Sequence, residues 1–207
     1  MHISNLTKEP THRLPRALAA LLVAGLILTA ASSAFALDGY ADRKGIFAGL
    51  GFGGGIGGVD LQDGDGTAGF EEGRLPGLEF SGVLGGGLSE NIVLGAQGNM
   101  WVRNVQKGSQ TLAHRHSSLM AMGNFFLIEG LYVEAAAGLA YAAFDGQRGD
   151  NDLREYRELG FAARAAVGYE YFINGTHALG GSVGYTRHFY GNADFDTLSG
   201  TIGLRWY

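Results

Sequence analysis

The sequence predicts an all-β fold in which eight antiparallel strands close into a transmembrane up-and-down β-barrel. Two observations carry this prediction: apolar residues alternate with small or polar ones along eight segments, and the connections between those segments alternate between long and short. A third observation, an export-type amino terminus, directs the barrel to the outer membrane. The 207 residues suffice for one domain, and the 36 glycines show no Gly-X-Y period, which excludes collagen.

Each of the eight segments has bulky apolar side chains on one face and glycine or polar side chains on the other, as a half-buried β-strand does. The apolar faces begin in turn at Ile46, Leu78, Ile92, Leu119, Val133, Leu159, Leu179 and Leu198. A water-soluble barrel keeps its apolar face inside, but the glycine-rich and polar face of this chain is too hydrophilic to form such a core. We therefore expect the apolar faces to meet lipid and the polar faces to line a narrow lumen.

The connections differ in length in a regular order. Polar stretches follow the first, third, fifth and seventh segments, at residues 60–74, 105–113, 145–158 and 191–196. Tight links follow the second, fourth and sixth segments, at residues 90–91, 129–130 and 174–175. Bacterial outer-membrane barrels have an even number of strands, short periplasmic turns and longer outside loops. The pattern therefore predicts that both chain ends lie on the periplasmic side.

Residues 1–36 have the features of a secretory signal peptide. Basic residues precede an apolar run at residues 17–30, and Ala34-Phe35-Ala36 fits a small-x-small cleavage site. The run of about 14 apolar residues is short for a membrane-spanning helix, which needs roughly 20. We expect cleavage after Ala36, which leaves residues 37–207 as the outer-membrane β-barrel.

Composition excludes several classes of function. The chain has no cysteine and hence no disulfide, thiolate metal site or cysteine nucleophile. A net charge of -5 and a pI near 5.6 do not suit a nucleic-acid partner, which needs a concentrated basic face. The alternating aspartates of residues 60–66 lack the full twelve-residue calcium loop, and His177 and His188 stand alone. We therefore expect no cofactor and no metal site.

With this strand pattern, the chain resembles the small eight-stranded outer-membrane barrels of the OmpA and OmpX type. The resemblance covers residues 44–207 and is carried by Ser118 to Phe126, by Gly138-Leu139-Ala140-Tyr141 and by the carboxyl end Gly203-Leu204-Arg205-Trp206-Tyr207. It implies insertion by the barrel-assembly machinery, which reads an outward aromatic residue of the last strand. Alternation makes Trp206 that residue and Tyr207 an extra one. We expect a monomer in contact with outer-membrane lipid, and the mixed charges of the third outside loop suit the phosphates of lipopolysaccharide.

Six charged residues fall on the predicted lumen face: Glu79, Arg103, Glu134, Arg164, Glu170 and Arg205. Charges in a region of low dielectric must be paired or hydrated. Counting residues across the connections places Glu79 near Arg103, and Glu134 almost opposite Glu170. The two facing carboxylates need a cation, either Arg205 or Arg164. The charges then form either a salt-bridge plug that fills the lumen or the gate of a narrow ion-conducting pore.

One cluster, His114-Arg115-His116-Ser117-Ser118, combines a nucleophile with a base. His116 and Ser118 share a strand face, and outer-membrane lipid A deacylases of similar architecture use a His-x-Ser arrangement with a downstream Glu. Leu119 replaces the Asn that usually follows the serine in those enzymes, alternation points both side chains inward, and the candidate acid Glu129 lies at the opposite end of the strand. The sequence favours a non-enzymatic outer-membrane barrel with a structural or surface-interaction role. A lipid A-modifying hydrolase and a narrow gated pore are the alternatives.

Overall fold

The computed structural model describes residues 43–61, 74–107, 110–148, 151–191 and 193–207. The eight strands are β1 Gly45–Leu61, β2 Leu75–Gly87, β3 Ile92–Lys107, β4 Gln110–Ile128, β5 Leu131–Arg148, β6 Asn151–Phe172, β7 His177–Phe189 and β8 Ala193–Trp206. The predicted signal peptide and most of the first outside loop, residues 62–73, lie outside the described residues. Within the described ranges, no helix is long and apolar enough to cross a membrane.

The sheet closes on itself. Each strand pairs antiparallel with the next one along the chain, and β8 pairs antiparallel with β1. The eight predicted segments all lie in strands, so the predicted fold class, an eight-stranded up-and-down β-barrel, is confirmed. Closure leaves no open sheet edge, which is a condition for crossing a bilayer with strands.

The register of the eight pairings sets the width of the barrel. A row of paired residues leaves β1 at Gly49 and returns to β1 at Val59, ten residues further along the strand. Between them the row passes through Val83, Gln97, Met120, Gly138, Ala162, His188 and Phe195. A stagger of this kind tilts the strands against the barrel axis by about 35–45°. With eight strands, the interior is then just wide enough for side chains to fill it.

The exterior of the barrel is apolar on every strand. Large hydrophobic side chains on the outer face expose between 38% and 81% of their surface. Examples from successive strands are Leu50, Leu84, Leu94, Leu119, Leu139, Val167, Val183 and Ile202. Soluble proteins rarely expose more than a few hundred Å² of contiguous apolar surface, whereas a lipid bilayer requires it. The closed sheet with this apolar band is a transmembrane barrel.

The interior contains polar and charged side chains together with small residues, as alternation predicts. The buried polar residues include Gln97, Asn99 and Thr186, together with charged residues of the candidate site described below. Glycine is required where β8 lies closest to the lumen face of β1. A Cβ atom at Gly53 or Gly55 would collide with the backbone carbonyl oxygens of Gly200 and Leu198. The glycine-rich first strand therefore permits the closing pair of strands to approach each other.

The predicted connections need one correction. The three tight links are confirmed, and Gly130 in the turn between β4 and β5 has a φ of +80° that favours glycine. The predicted loops at 105–113 and 145–158 are instead mostly strand, because β3 pairs with β4 up to Lys107↔Gln110 and β5 pairs with β6 up to Arg148↔Asn151. Polar residues on both faces mark where a strand leaves lipid, and antiparallel pairing continues beyond that point. The predicted loop at 191–196 is likewise shorter, since β8 begins at Ala193.

We expect Val183→Arg to destabilise the barrel by about 2–4 kcal/mol, because this position is central in β7 and faces lipid with 60% of its surface exposed. Leu159→Arg is the matched control. Leu159 is also exposed but lies two residues from the outward Arg157, near the outer end of the lipid-facing band, where the cost falls to about 0–1 kcal/mol. Urea titration of the folded, heat-modifiable gel band in lipid vesicles measures both free energies. Equal costs at the two positions would contradict this membrane placement.

Candidate functional site: the packed lumen

The candidate site is the lumen, which side chains fill at three levels. We call these levels the inner clasp (Arg43, Glu170, Arg205 and Tyr207), the central ion cluster (Glu79, Glu134 and Arg164) and the outer aromatic cluster (Trp101, His114, His116, His188, Tyr190 and Phe195). The inner clasp lies at the end where the chain enters and leaves the barrel. The outer aromatic cluster lies at the opposite end, beside the β3–β4 and β7–β8 connections.

The inner clasp is centred on the buried carboxylate of Glu170. Arg43, just before β1, donates from Nε at 2.6 Å, and Arg205 of β8 donates from Nη1 at 3.1 Å. The phenol of Tyr207 donates to the same carboxylate at 2.8 Å. Burial raises the pKa of Tyr207, which keeps this phenol protonated as a donor. One carboxylate on β6 thus joins the first and last parts of the barrel.

Aromatic rings complete this level of the lumen. The Arg43 guanidinium lies 3.9 Å from the centroid of the Phe126 ring, and the Arg205 guanidinium lies 4.9 Å from that of Tyr132. Tyr207 stacks on Phe47 with ring centroids 5.6 Å apart. The clasp is therefore a packed layer of charged and aromatic groups.

The central ion cluster places one guanidinium between two carboxylates. Arg164 Nε donates to Glu134 at 3.0 Å, and Nη1 lies 3.3 Å from Glu79 and donates to Thr186 at 3.0 Å. All four side chains are buried. In the amide orientation that satisfies both neighbours, Asn124 donates to Glu134 at 3.2 Å and accepts from Arg205 at 3.0 Å. A continuous polar network therefore connects the central cluster to the inner clasp.

Two predicted contacts are wrong. Glu79 pairs with Arg164 and not with Arg103, and Glu134 and Glu170 each bind a different arginine instead of sharing one. Counting across a connection finds only partners on neighbouring strands. In an eight-stranded ring, however, β2 and β6 face each other across the lumen, so Arg164 on β6 reaches Glu79 on β2. The predicted proximity of Arg205 to Glu170 is confirmed.

The sixth charged residue, Arg103, lies in the outer part of the lumen and is 6% exposed. Its Nε donates to His114 Nδ1 at 2.9 Å, and its Nη1 donates to the carbonyl oxygen of Gly57 at 3.1 Å. Its guanidinium also lies 5.5 Å from the Trp101 ring centroid. Because His114 Nδ1 accepts a hydrogen bond, this imidazole is the neutral Nε2–H tautomer. Among the described residues, the partners of Arg103 are therefore all uncharged.

The outer aromatic cluster packs around His116. The imidazole of His116 stacks on Phe195, with ring centroids 3.6 Å apart and an interplanar angle of 3°. Its Nδ1 lies 3.1 Å from the phenol oxygen of Tyr190, and Trp101 and His188 pack within 6.1 Å and 5.6 Å of its centroid. Burial raises the pKa of Tyr190, so the phenol stays protonated. His116 thus belongs to the packing of the outer lumen.

The geometry around His116 and Ser118 differs from that of an activated nucleophile. Both side chains are buried inside the lumen, with Ser118 8% exposed, and neither faces the lipid. Among the described residues, Ser118 Oγ has no hydrogen-bond partner. Glu129 lies in the turn at the opposite end of β4, so no carboxylate from that position reaches His116. The described residues also contain no group of three or more His, Cys, Asp or Glu side chains arranged so that it could hold a metal ion.

A small cavity remains between the central cluster and the inner clasp. Its volume is about 50 Å³, and its walls include Gly49, Gly51, Ser81, Gln97 and Ser182. A cavity needs only about 10–15 Å³ to hold one water molecule, so this one has room for a few. Polar groups surround it, which makes it suitable for bound water.

Sequence reasoning missed several members of the lumen. The sequence pattern makes Tyr207 an extra residue beyond the last strand, but period two puts it on the same face as Arg205, and its phenol binds Glu170. Arg43 stands just before the first strand, where alternation no longer predicts a direction. The aromatic partners of His116 are Tyr190, from the β7–β8 connection, and Phe195, near the start of β8; they are close only because the barrel closes.

We expect Arg205→Ala to weaken the folded barrel, because Glu170 loses one of its two arginine partners while it stays buried. Removal of one partner of a buried ion pair costs about 3–5 kcal/mol, and Arg43 offsets part of this loss here. The folded gel band should then convert to the unfolded band at a lower temperature. Arg157→Ala, at an exposed outward position, is the control and should leave that temperature unchanged. Unchanged migration of the Arg205 variant would contradict the role of the clasp.

Comparison with known proteins gives a likeness of fold. The sequence matches no protein-family model and no curated protein sequence. Among solved structures, this chain is similar to Ail, the attachment invasion locus protein of Yersinia pestis, in its complex with the heparin analogue sucrose octasulfate. The TM-score is 0.57 and the sequence identity is 10%, and the match covers 78% of this chain and 99% of Ail. Neisserial surface protein A is also similar, with a TM-score of 0.51 and 13% identity, and the match covers 79% of this chain and 99% of that protein. The chain therefore has the fold of the small eight-stranded outer-membrane β-barrels.

Proposed function

We propose that this protein is a non-enzymatic outer-membrane barrel whose lumen is plugged and whose outer end contacts the cell surface environment. In this proposal a signal peptide at residues 1–36 is cleaved during export, and the barrel-assembly machinery inserts residues 37–207 as a monomer through the carboxyl-terminal strand. The role is structural or one of surface interaction. The observation that carries the proposal is the buried network of ion pairs that links the central ion cluster to the inner clasp.

The chemistry of that network supports a plug over a pore. Arg164 is held by two carboxylates and a hydroxyl, and Glu170 by two guanidinium groups and a phenol. Opening a path for ions would separate buried opposite charges, and breaking a buried ion pair costs several kcal/mol. The cavity of about 50 Å³ is also far smaller than an aqueous channel.

The outer end supports a role at the cell surface. Arg115 and Arg157 are exposed on the outward face, and Arg157 donates to the phenol of Tyr141 at 3.2 Å. Guanidinium groups bind phosphate oxygens in paired hydrogen bonds, so this rim suits the phosphates of lipopolysaccharide. The similar barrel of Ail is named for attachment and invasion, which is a precedent for surface contact on this fold.

The plug predicts that the purified protein gives no steady conductance steps in planar bilayers. The double variant Arg164→Ala and Arg205→Ala removes one cation from the central ion cluster and one from the inner clasp. If it folds, it should conduct more than the native protein. Arg157→Ala is the matched control and should behave as the native protein does. Steady steps from the native protein that vanish in a denatured sample would overturn the plug and favour the narrow gated pore.

The non-enzymatic proposal predicts identical lipid A masses in cells with and without this protein. The geometry supports this outcome because His116 Nδ1 contacts Tyr190 and both His116 and Ser118 are buried in the lumen, away from lipid. Mass spectrometry of extracted lipid A is the measurement. Loss of an acyl chain that depends on the protein and disappears in Ser118→Ala would instead establish the hydrolase.

A further inference from the structure

Among the described residues, β2 and β3 leave a gap between them at the outer end of the barrel. Their pairing ends at Leu78↔Val102, although β2 continues to Leu75 on one side and β3 to Lys107 on the other. Beyond this point β2 pairs only with β1, and β3 only with β4. Pro76 lies in the part of β2 that does not pair with β3, and it has no N–H to donate to a ladder. The two strands therefore diverge on the outer side of this pair.

A cleft occupies this gap. Its volume is about 340 Å³, and it is lined by Pro76, Gly77, Leu78, Val102, Arg103 and Asn104. The apolar part of the lining, with Leu78 half-exposed, is continuous with the lipid-facing exterior, and the polar part lies further out along β3. Behind Gly77 stands the Trp101 ring, which a Cβ atom at Gly77 would strike. Gly77 thus lets the cleft extend up to the lumen side chains.

Arg103 gives the cleft an unbalanced positive charge. Its hydrogen-bond acceptors are the neutral His114 imidazole and the carbonyl oxygen of Gly57. It forms no ion pair with any carboxylate of the described residues, whereas Arg43, Arg164 and Arg205 all do. A buried cation without a counterion is costly, and an anion that enters the cleft relieves this cost.

We propose that the cleft between β2 and β3 binds the anionic head group of an acyl amphiphile, a carboxylate or a phosphate, with its chain along the apolar lining. Arg103 and the Asn104 amide donate to the anion, and Leu78 and Val102 contact the first part of the acyl chain. The cleft combines a positive charge with an apolar wall. A soluble anion would use only the charge, and a neutral lipid would use only the apolar wall. This inference rests on the proposed function only in that the barrel lies in a membrane.

Trp101 provides a local reporter for this site. The chain has two tryptophans, so Trp206→Phe leaves Trp101 as the single indole, and this side chain is buried behind the cleft. A brominated acyl chain quenches an indole only at close range. Brominated fatty acid, brominated phosphatidic acid and a brominated neutral acyl alcohol are titrated into the purified, folded protein in micelles, with inorganic phosphate as a competitor. We expect saturable quenching by an anionic probe and little by the neutral one.

Variants separate the charge from the apolar wall. Arg103→Gln should weaken binding of the anionic probe by about tenfold or more, because it removes a charge-assisted hydrogen bond. Val102→Phe fills the cleft from its outward side, keeps Arg103 in place and should also block quenching. Lys44→Gln removes an exposed cation at the opposite end of the barrel and should have no effect. Each variant is first checked for the heat-modifiable gel shift, and Val102→Phe keeps the test available if Arg103→Gln does not fold.

The outcomes identify the source of the anion. Stronger quenching by the fatty acid assigns the site to a carboxylate, stronger quenching by phosphatidic acid assigns it to a lipid phosphate, and competition by inorganic phosphate supports the phosphate source. Equal quenching by the neutral probe, or unchanged affinity in folded Arg103→Gln or Val102→Phe, would overturn the proposal. The outcome of the conductance measurement is independent of these quenching results, because conductance tests the plug and quenching tests this cleft.

Discussion

Closure of β8 against β1 is the constraint on which the rest of the structure depends. In lipid, no water is present to satisfy an open strand edge, so a sheet that crosses a membrane must return to its first strand. The ten-residue stagger of that closure sets the tilt of the strands and the width of the lumen. The lumen-facing glycines of β1, Gly53 and Gly55, are the local condition for it, since β8 carbonyls occupy the space of their missing side chains.

A narrow lumen lined by charged residues has few stable arrangements. Each buried charge must meet an opposite charge, a hydrogen-bond partner or water. Arg164 and Glu170 meet this condition by each holding several partners from different strands, and these contacts also hold opposite sides of the ring together. The inner clasp adds the two ends of the described barrel to the same network through Arg43 and Tyr207. Electrostatic pairing and barrel closure therefore reinforce each other.

Arg103 is the exception among the buried arginines, and it lies where the wall of the barrel is incomplete. Its neutral partners and the divergence of β2 from β3 occur at the same place. The stacked rings of His116 and Phe195 lie in the outer lumen, and the cleft that Arg103 lines lies between β2 and β3. The early end of the β2–β3 pairing thus distinguishes the surroundings of Arg103 from those of the central ion cluster and the inner clasp.

Period two along the chain was enough to predict eight strands, their lipid-facing and lumen-facing sides and the tight turns, because each of these is a local property of the backbone. The same alternation correctly placed Glu79, Glu134, Arg164 and Glu170 inside. It could not predict that strands continue through the polar stretches 105–113 and 145–158. Polar residues mark where the strands leave the lipid, but the hydrogen-bonded pairing of the strands continues beyond that point. Nor could it predict that Arg164 meets Glu79 or that Tyr207 meets Glu170. Those contacts join parts of the barrel that do not pair with each other, and only the stagger of the closed barrel brings their side chains to the same level.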